Sequence, residues 1–330
     1  MRIPLREAKV MIVGGAGFIA SHLADRLLDE GVQTLVLFDN LFMGRLENIA
    51  SATGRGAVFV KGDACRRDEL REAIEAHGVN VVFDLATKPL VYSFDDPYDA
   101  FMVNVEITGN LLELQRQGLF ATLCHYSSSE VYGTAVYEPM DEQHPHNPTT
   151  TYAGGKAAAD VMLKTWVSMF GLDAFIVRPF NNYGPRQNPD GPYAAVIPIS
   201  IRRILQGESP EVHGSGEQSR DFVFVKDTVD ATVQLYGVLK AGEEANISAE
   251  GNISINELMD RICEATGYGG EVVRKARRRA DVDCHAGTNA YLKTIIDFDP
   301  TDIVSGLRQT ADYYRDLLCG DACHEQADRQ

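Results

Sequence analysis

Ala8-Lys9-Val10-Met11-Ile12-Val13-Gly14-Gly15-Ala16-Gly17-Phe18-Ile19-Ala20 is the stretch that decides the fold of this chain. An apolar run of strand length ends in a glycine turn, and an amphipathic stretch over residues 18–30 comes next. The pattern reads as strand, turn, helix. Gly31 ends the helix, and residues 34–38 make a second apolar strand that closes on Asp39 and Asn40. The segment is therefore a βαβ unit with a right-handed crossover. Gly14 and Gly17 let a pyrophosphate approach the backbone, and the helix opened by Phe18 and Ile19 stabilises its charge. Asp39, at the end of the second strand, is placed to accept hydrogen bonds from an adenosine ribose and to repel a 2′-phosphate. That favours NAD over NADP, with Arg45 as the counter-signal.

Working outward, strand patterns recur at residues 57–60, 80–85, 121–126 and 174–177, separated by helical patterns at 67–77, 97–117 and 151–170. Strands alternating with helices indicate an α/β chain with a Rossmann-type doubly wound parallel sheet. Asp63 and Ala64, after the third strand, are expected at the adenine edge, and Leu85 and Ala86, after the fourth, along the middle of the cofactor. Beyond Arg178-Pro179 the texture changes to short elements punctuated by Gly and Pro, as in Asn188-Pro189-Asp190-Gly191-Pro192. We expect an NAD-binding domain over 1–180, with 221–244 returning to it through a helix near 227–239. A smaller mixed α/β substrate-binding domain is expected from 181–220 and 245–315. Residues 316–330 read as a tail, its last dozen disordered.

The formal charge is −16, from 31 basic and 47 acidic side chains, with a pI of about 4.9. So acidic a surface argues against nucleic acid or an anionic membrane as partner, since both need concentrated basic charge. No run approaches the roughly 20 apolar residues of a membrane span. The six cysteines are scattered, and without an apolar signal region they read as reduced thiols in a cytoplasmic protein. Cys319-Gly320-Asp321-Ala322-Cys323-His324 reads as acidic tail rather than as a metal site, and no metal is expected.

Chemistry is carried by Tyr152-Ala153-Gly154-Gly155-Lys156 together with Ser127-Ser128-Ser129-Glu130-Val131-Tyr132-Gly133. Tyr152 and Lys156 share a helix face. The ammonium is therefore expected to lower the phenol below its ordinary value near ~10 and make it a base at neutral pH. With the Ser128 hydroxyl on the substrate oxygen, this set suits hydride removal from a secondary alcohol. If residues 127–131 are extended, Ser128 and Glu130 share a face, which puts a carboxylate beside the substrate.

Gly14-Gly15-Ala16-Gly17-Phe18-Ile19, Asp39-Asn40, Ser128 with Tyr152 and Lys156, and Arg178-Pro179-Phe180-Asn181-Asn182-Tyr183-Gly184-Pro185-Arg186 together resemble the extended short-chain dehydrogenase/reductase family, specifically its nucleotide-sugar epimerases and dehydratases. The likeness runs from Lys9 to about Arg315. It departs at Ala20, where relatives have a third glycine, and at Asp84, where they often have His. The resemblance implies tightly held NAD recycled within each turnover. It implies oxidation of a sugar C4 hydroxyl with Tyr152 as base, Lys156 on the nicotinamide ribose and Ser128 on the sugar oxygen. It also implies Asn181, Arg220 and Arg278 on the diphosphate, Val196 at the base pocket, and a homodimer paired through two long helices.

Glu130 bears on the fate of the 4-keto sugar. A ketone at C4 acidifies the C5 proton, and a nearby glutamate can remove it while hydroxide leaves C6. Dehydratases resembling this chain have glutamate there, whereas typical C4-epimerases have a neutral residue, so a nucleotide-sugar 4,6-dehydratase is the favoured reading. A UDP-glucose or UDP-N-acetylglucosamine type 4-epimerase is the first alternative, because the 186–198 loop is similar to that of certain N-acetylhexosamine 4-epimerases, and a UDP-glucuronate decarboxylase the second. Glucose-type dehydratases usually have Asp where this chain has Ser129. A non-catalytic NAD-binding regulator is disfavoured by the intact Ser128, Tyr152 and Lys156.

Overall fold

The computed structural model describes residues 2–276 and 284–327. The opening run becomes β1 (Lys9–Val13), α1 (Phe18–Asp29) and β2 (Thr34–Asp39). Next come α2 (Ala50–Gly54), β3 (Val58–Lys61), α3 (Arg67–His77), β4 (Val81–Asp84), α4 (Pro97–Arg116), β5 (Thr122–Tyr126), α5 (Thr151–Phe170) and β6 (Asp173–Pro179). The second half contains β7 (Asn181–Tyr183), α6 (Val196–Leu205), β8 (Glu211–His213), β9 (Ser219–Phe224), α7 (Val225–Val238), β10 (Glu244–Ile247) and β11 (Asn252–Ser254). It ends with α8 (Ile255–Thr266), β12 (Val273–Lys275), β13 (Cys284–His285), α9 (Ala290–Ile295) and α10 (Ile303–Ala327).

The large sheet has seven strands in the order β10-β6-β5-β4-β1-β2-β3, every neighbouring pair parallel. Val10 to Val13 are wholly buried because helices cover both faces, as a parallel sheet requires. One face packs Leu23 and Leu27 of α1 with Val229 and Leu235 of α7. The other packs Leu70 of α3, Ile107 and Leu111 of α4 and Leu163 of α5. Strand order reverses between β1 and β4, so the glycine turn opens on a crevice at the carboxyl edge. The return to this sheet reaches beyond α7, since Ala245 and Ile247 of β10 pair with Val177 and Pro179 of β6.

A second sheet orders β11-β9-β13 with β7 also on β9, and β8 pairs with β12. Ile201 of α6, Leu258 of α8 and Leu307 of α10 form the core beneath it. The expectation that the last dozen residues are disordered is corrected over 319–327, since residues 316–327 continue α10, and 328–330 lie outside the described residues. Leu307, Ala311 and Tyr314 are buried at helical spacing, and a helix nucleated by packing extends at little further cost.

Helices α4 and α5 pack more closely than ordinary side chains allow. A Cβ on Gly155 would sit 2.4 Å from the Phe101 carbonyl oxygen, and one on Gly154 would sit 3.1 Å from the Phe101 ring. Two helical glycines, each costing about 1 kcal/mol against alanine, are thus explained by the approach of α4. Gly155→Ala is expected to destabilise the protein by about 1–3 kcal/mol. Gly237→Ala in α7, where nothing lies within 4 Å, is expected to be neutral or stabilising. Calorimetric melting of the two variants checks the contrast.

Candidate active site

The crevice deepens into a cleft of about 460 Å³. Gly14, Gly17, Phe18, Ile19, Asp39 and Asn40 line it, as do Asp63, Ala64, Leu85 and Ala86. At its centre Gly14 has φ of 76°, and a Cβ there would lie 2.8 Å from the Ala86 Cα. Only glycine lets β1 turn this closely across the end of β4. Gly17 precedes the first turn of α1 without a side-chain cap, so first-turn N–H groups of a long helix face the cleft. Bare backbone, a helix N-terminus and an acidic residue at the far edge are a donor set that fits a dinucleotide diphosphate and ribose.

Asp39 also builds the turn. Its carboxylate accepts from the Ala16 amide at 3.0 Å and from the Leu41 amide at 2.6 Å. Burial pushes its pKa up, and these two hydrogen bonds oppose the shift. Asp63 similarly accepts from the Cys65 amide at 3.0 Å. The Arg45 guanidinium is drawn to Asn188 at 2.7 Å and Asp190 at 3.1 Å.

Ser128, Glu130, Tyr152 and Lys156 line the same cleft. The expectation that residues 127–131 are extended is corrected. Ser129–Tyr132 form a short 3-10 turn capped by Ser128, whose hydroxyl accepts from the Glu130 amide at 3.3 Å. Gly133 ends the turn with φ of 61°, where a Cβ would meet the Asn147 carbonyl. Ser128 and Glu130 still face one cleft, but a hydroxyl-capped turn brings them there rather than strand pleating.

Thr150 caps α5 by accepting from the Ala153 amide at 3.2 Å, and the Tyr152 amide donates to Ser93 at 3.0 Å. The phenol lies near the Ser128 hydroxyl, which favours the charged form of the phenol. Lys156 is buried, and its ammonium donates to the Tyr126 carbonyl at 2.7 Å. The expected lowering of the phenol by Lys156 is not met in this arrangement. Burial pushes Tyr152 up to about 12, Glu130 and Asp160 add to the rise, and only the Ser128 hydrogen bond opposes it. In this arrangement the phenol is therefore protonated at neutral pH.

Asn181 lies where this cleft meets a second cavity of about 350 Å³, which Val196 and Arg220 also line. Asn181 donates to the Asp221 carbonyl at 3.3 Å, and Arg220 to the Ser219 carbonyl at 2.8 Å. Arg278 lies outside the described residues. The sequence reading missed Arg203, Glu211 and His213 in the second cavity. It also missed Lys88, whose ammonium sits 4.5 Å from the Phe42 ring centre and 4.4 Å from that of Tyr92 at the cleft wall. The signal for Lys88 was its place just after the Leu85-Ala86 strand end. Nothing local marked the other three.

A profile of the NAD dependent epimerase/dehydratase family matches residues 10–248. A UDP-glucose 4-epimerase of Mycolicibacterium smegmatis is 34% identical over 311 residues, covering 93% of this chain and 98% of its own. The structure of UDP-glucose 4-epimerase from Thermotoga maritima with UDP-glucose superposes with a TM-score of 0.89 at 29% identity, covering 94% of this chain and 99% of the other. A dTDP-glucose 4,6-dehydratase from Streptomyces venezuelae with NAD bound gives 0.87 at 25% identity, covering 93% and 97%.

Gly14→Ala tests the crevice. The variant is expected to weaken NAD⁺ binding at least about tenfold, because the left-handed backbone alone costs roughly 1–2 kcal/mol and the methyl group displaces the β4 end. Calorimetric titration with NAD⁺ checks it.

Proposed function

The chain belongs to the NAD-dependent epimerase/dehydratase family, and we propose that within it the protein is a nucleoside-diphosphate-hexose 4,6-dehydratase acting through a 4-keto sugar. The observation that carries this reading is the Glu130 carboxylate in the same cleft as Ser128 and Tyr152. Gly14, Gly17 and the α1 N-terminus would hold the NAD diphosphate and Asp39 the adenosine ribose. Bound NAD would supply the hydride acceptor for C4 oxidation and the hydride donor for C6 once water has left, so that the cofactor is regenerated in each turnover.

In this reading Ser128 holds the C4 oxygen, Tyr152 takes its proton, and Lys156 keeps a positive charge next to the phenolate. Glu130 removes the C5 proton that the 4-ketone has acidified. The protonated Glu130 can then give that proton to the departing C6 hydroxyl, so one carboxyl serves both steps and no acid is needed at Ser129. Asn181 and Arg220 would meet the diphosphate where the two cavities join, and Val196 the base. Asp221, where decarboxylases resembling this chain often have a small apolar residue, weighs against decarboxylation. Ser128, Tyr152 and Lys156 in one cleft support an enzyme over a regulator that only binds NAD. We further propose a homodimer through α4 and α5, where Tyr98, Val161 and Met169 are 76%, 59% and 67% exposed.

A second reading, 4-epimerisation, has its own support in the likeness to UDP-glucose 4-epimerases. The two part on one measurement. Incubation with UDP- and dTDP-linked glucose, N-acetylglucosamine and glucuronate, read by mass spectrometry, is expected to show loss of one water from a hexose. An unchanged mass with C4 inversion by NMR would replace dehydration by epimerisation, and loss of carbon dioxide would replace both. Tyr152→Phe is expected to lower turnover about a hundredfold or more while NAD⁺ binding persists. Glu130→Gln is expected to suppress C5 deuterium exchange more than C4 oxidation, and equal suppression would remove Glu130 from the C5 step.

A further inference from the structure

Near Lys156 lies a row of buried ionisable groups to which the dehydratase chemistry assigns no step. Asp84 at the end of β4 and His125 in β5 are each 1% exposed or less, and the imidazole Nδ1 lies 2.9 Å from Asp84 Oδ2. On the far side of the ring, Nε2 is 3.6 Å from Asp160 Oδ1. His125 Nε2, Asp160 Oδ1 and Asp84 Oδ1 are all buried without a hydrogen-bond partner. Such atoms are costly to bury and call for a charge nearby.

Asp160 is the best-anchored member. Its Oδ2 accepts from Ser127 at 2.7 Å and from Arg178 at 2.8 Å, and Arg178 also binds Glu244 of β10 at 2.6 Å. Lys156 lies one turn before Asp160 on α5, so fixing the carboxylate fixes the lysine. Burial pushes the pKa of the Lys156 ammonium down, and the acidic groups Asp84 and Asp160 oppose that shift. Lys156 lines the cleft together with Tyr152, Ser128 and Glu130.

We propose that Asp84 and His125 are positioning residues. With Asp160 they form a buried carboxylate–imidazole–carboxylate row that links β4 to α5 and holds Lys156 charged at the cleft wall. Asp84 comes from the sheet and Asp160 from the helix, and the imidazole lies between the two carboxylates. Without that row a buried lysine tends to lose its proton. The functional consequence rests on the role of Lys156 in the dehydratase reading, but the charge of Lys156 does not.

The test is the titration of Lys156 in the whole protein, monitored by NMR on lysine labelled with carbon-13 at the ε position. Its resonance is identified by loss in Lys156→Met. Asp84→Asn keeps the shape and the acceptor for His125 but removes the charge. It is expected to lower the pH at which Lys156 titrates by about one unit or more. His125→Gln is expected to move it the same way, because it removes the ring that links Asp84 to Asp160. A Lys156 titration unchanged from wild type in either folded variant overturns the proposal. Where a sugar nucleotide is turned over, the alkaline limb of the Asp84→Asn pH profile should move to lower pH by the same amount, with Asp84→Glu restoring part of the shift. Inactivity of wild type on every sugar nucleotide would sink the functional reading and leave the NMR result to decide this one.

Discussion

The buried pairing of Arg178 with Asp160 is the interaction on which the rest of the site depends. Both side chains are fully buried, and the guanidinium also reaches Glu244 and the Tyr132 hydroxyl, the latter at 2.7 Å. One cation therefore ties β6, α5, β10 and the turn that carries Glu130. Breaking such a pair from one side leaves an uncompensated charge in the interior and costs about 3–5 kcal/mol. The pair stabilises an arrangement more than it adds net stability: it determines where α5 sits against the sheet, and hence where Tyr152 and Lys156 meet Ser128.

A second constraint is the absence of side chains where backbones must touch. Gly14 lies against Ala86 at the reversal of strand order, and Gly155 lies against Phe101 where α4 meets α5. The first opens the crevice for a diphosphate. The second brings α4 close to the start of α5, beside the residue that would act as base. Both are contacts in which a methyl group would have to displace main chain.

Electrostatically the cleft is poised rather than ready. The Tyr152 phenol is held near 12 by burial and by the acidic groups around it. The Lys156 ammonium is directed at the Tyr126 carbonyl. Burial, Glu130 and Asp160 all push the phenol up, in a chain whose overall charge is −16.

Much of this was legible in the chain itself, where the cause is local. The strand, glycine turn and helix of residues 9–29, the carboxylate at Asp39, and the bounds of α3 and α5 stem from periodicity, turn chemistry and caps, all acting within a few residues. The meeting of Ser128 with Tyr152 was signalled by motif order. The turn at Ser129–Tyr132 was misread because a hydroxyl cap outweighs strand propensity, and the helical continuation of residues 316–327 because packing at Leu307 and Tyr314 nucleates it from a distance. Only the tertiary structure could direct Lys156 to a carbonyl, raise the phenol of Tyr152, and set Asp84, His125 and Asp160 in a row. Those outcomes depend on desolvation and on charges brought together from β4, β5, β6 and α5, and neither distance nor burial between remote segments is written in the order of residues.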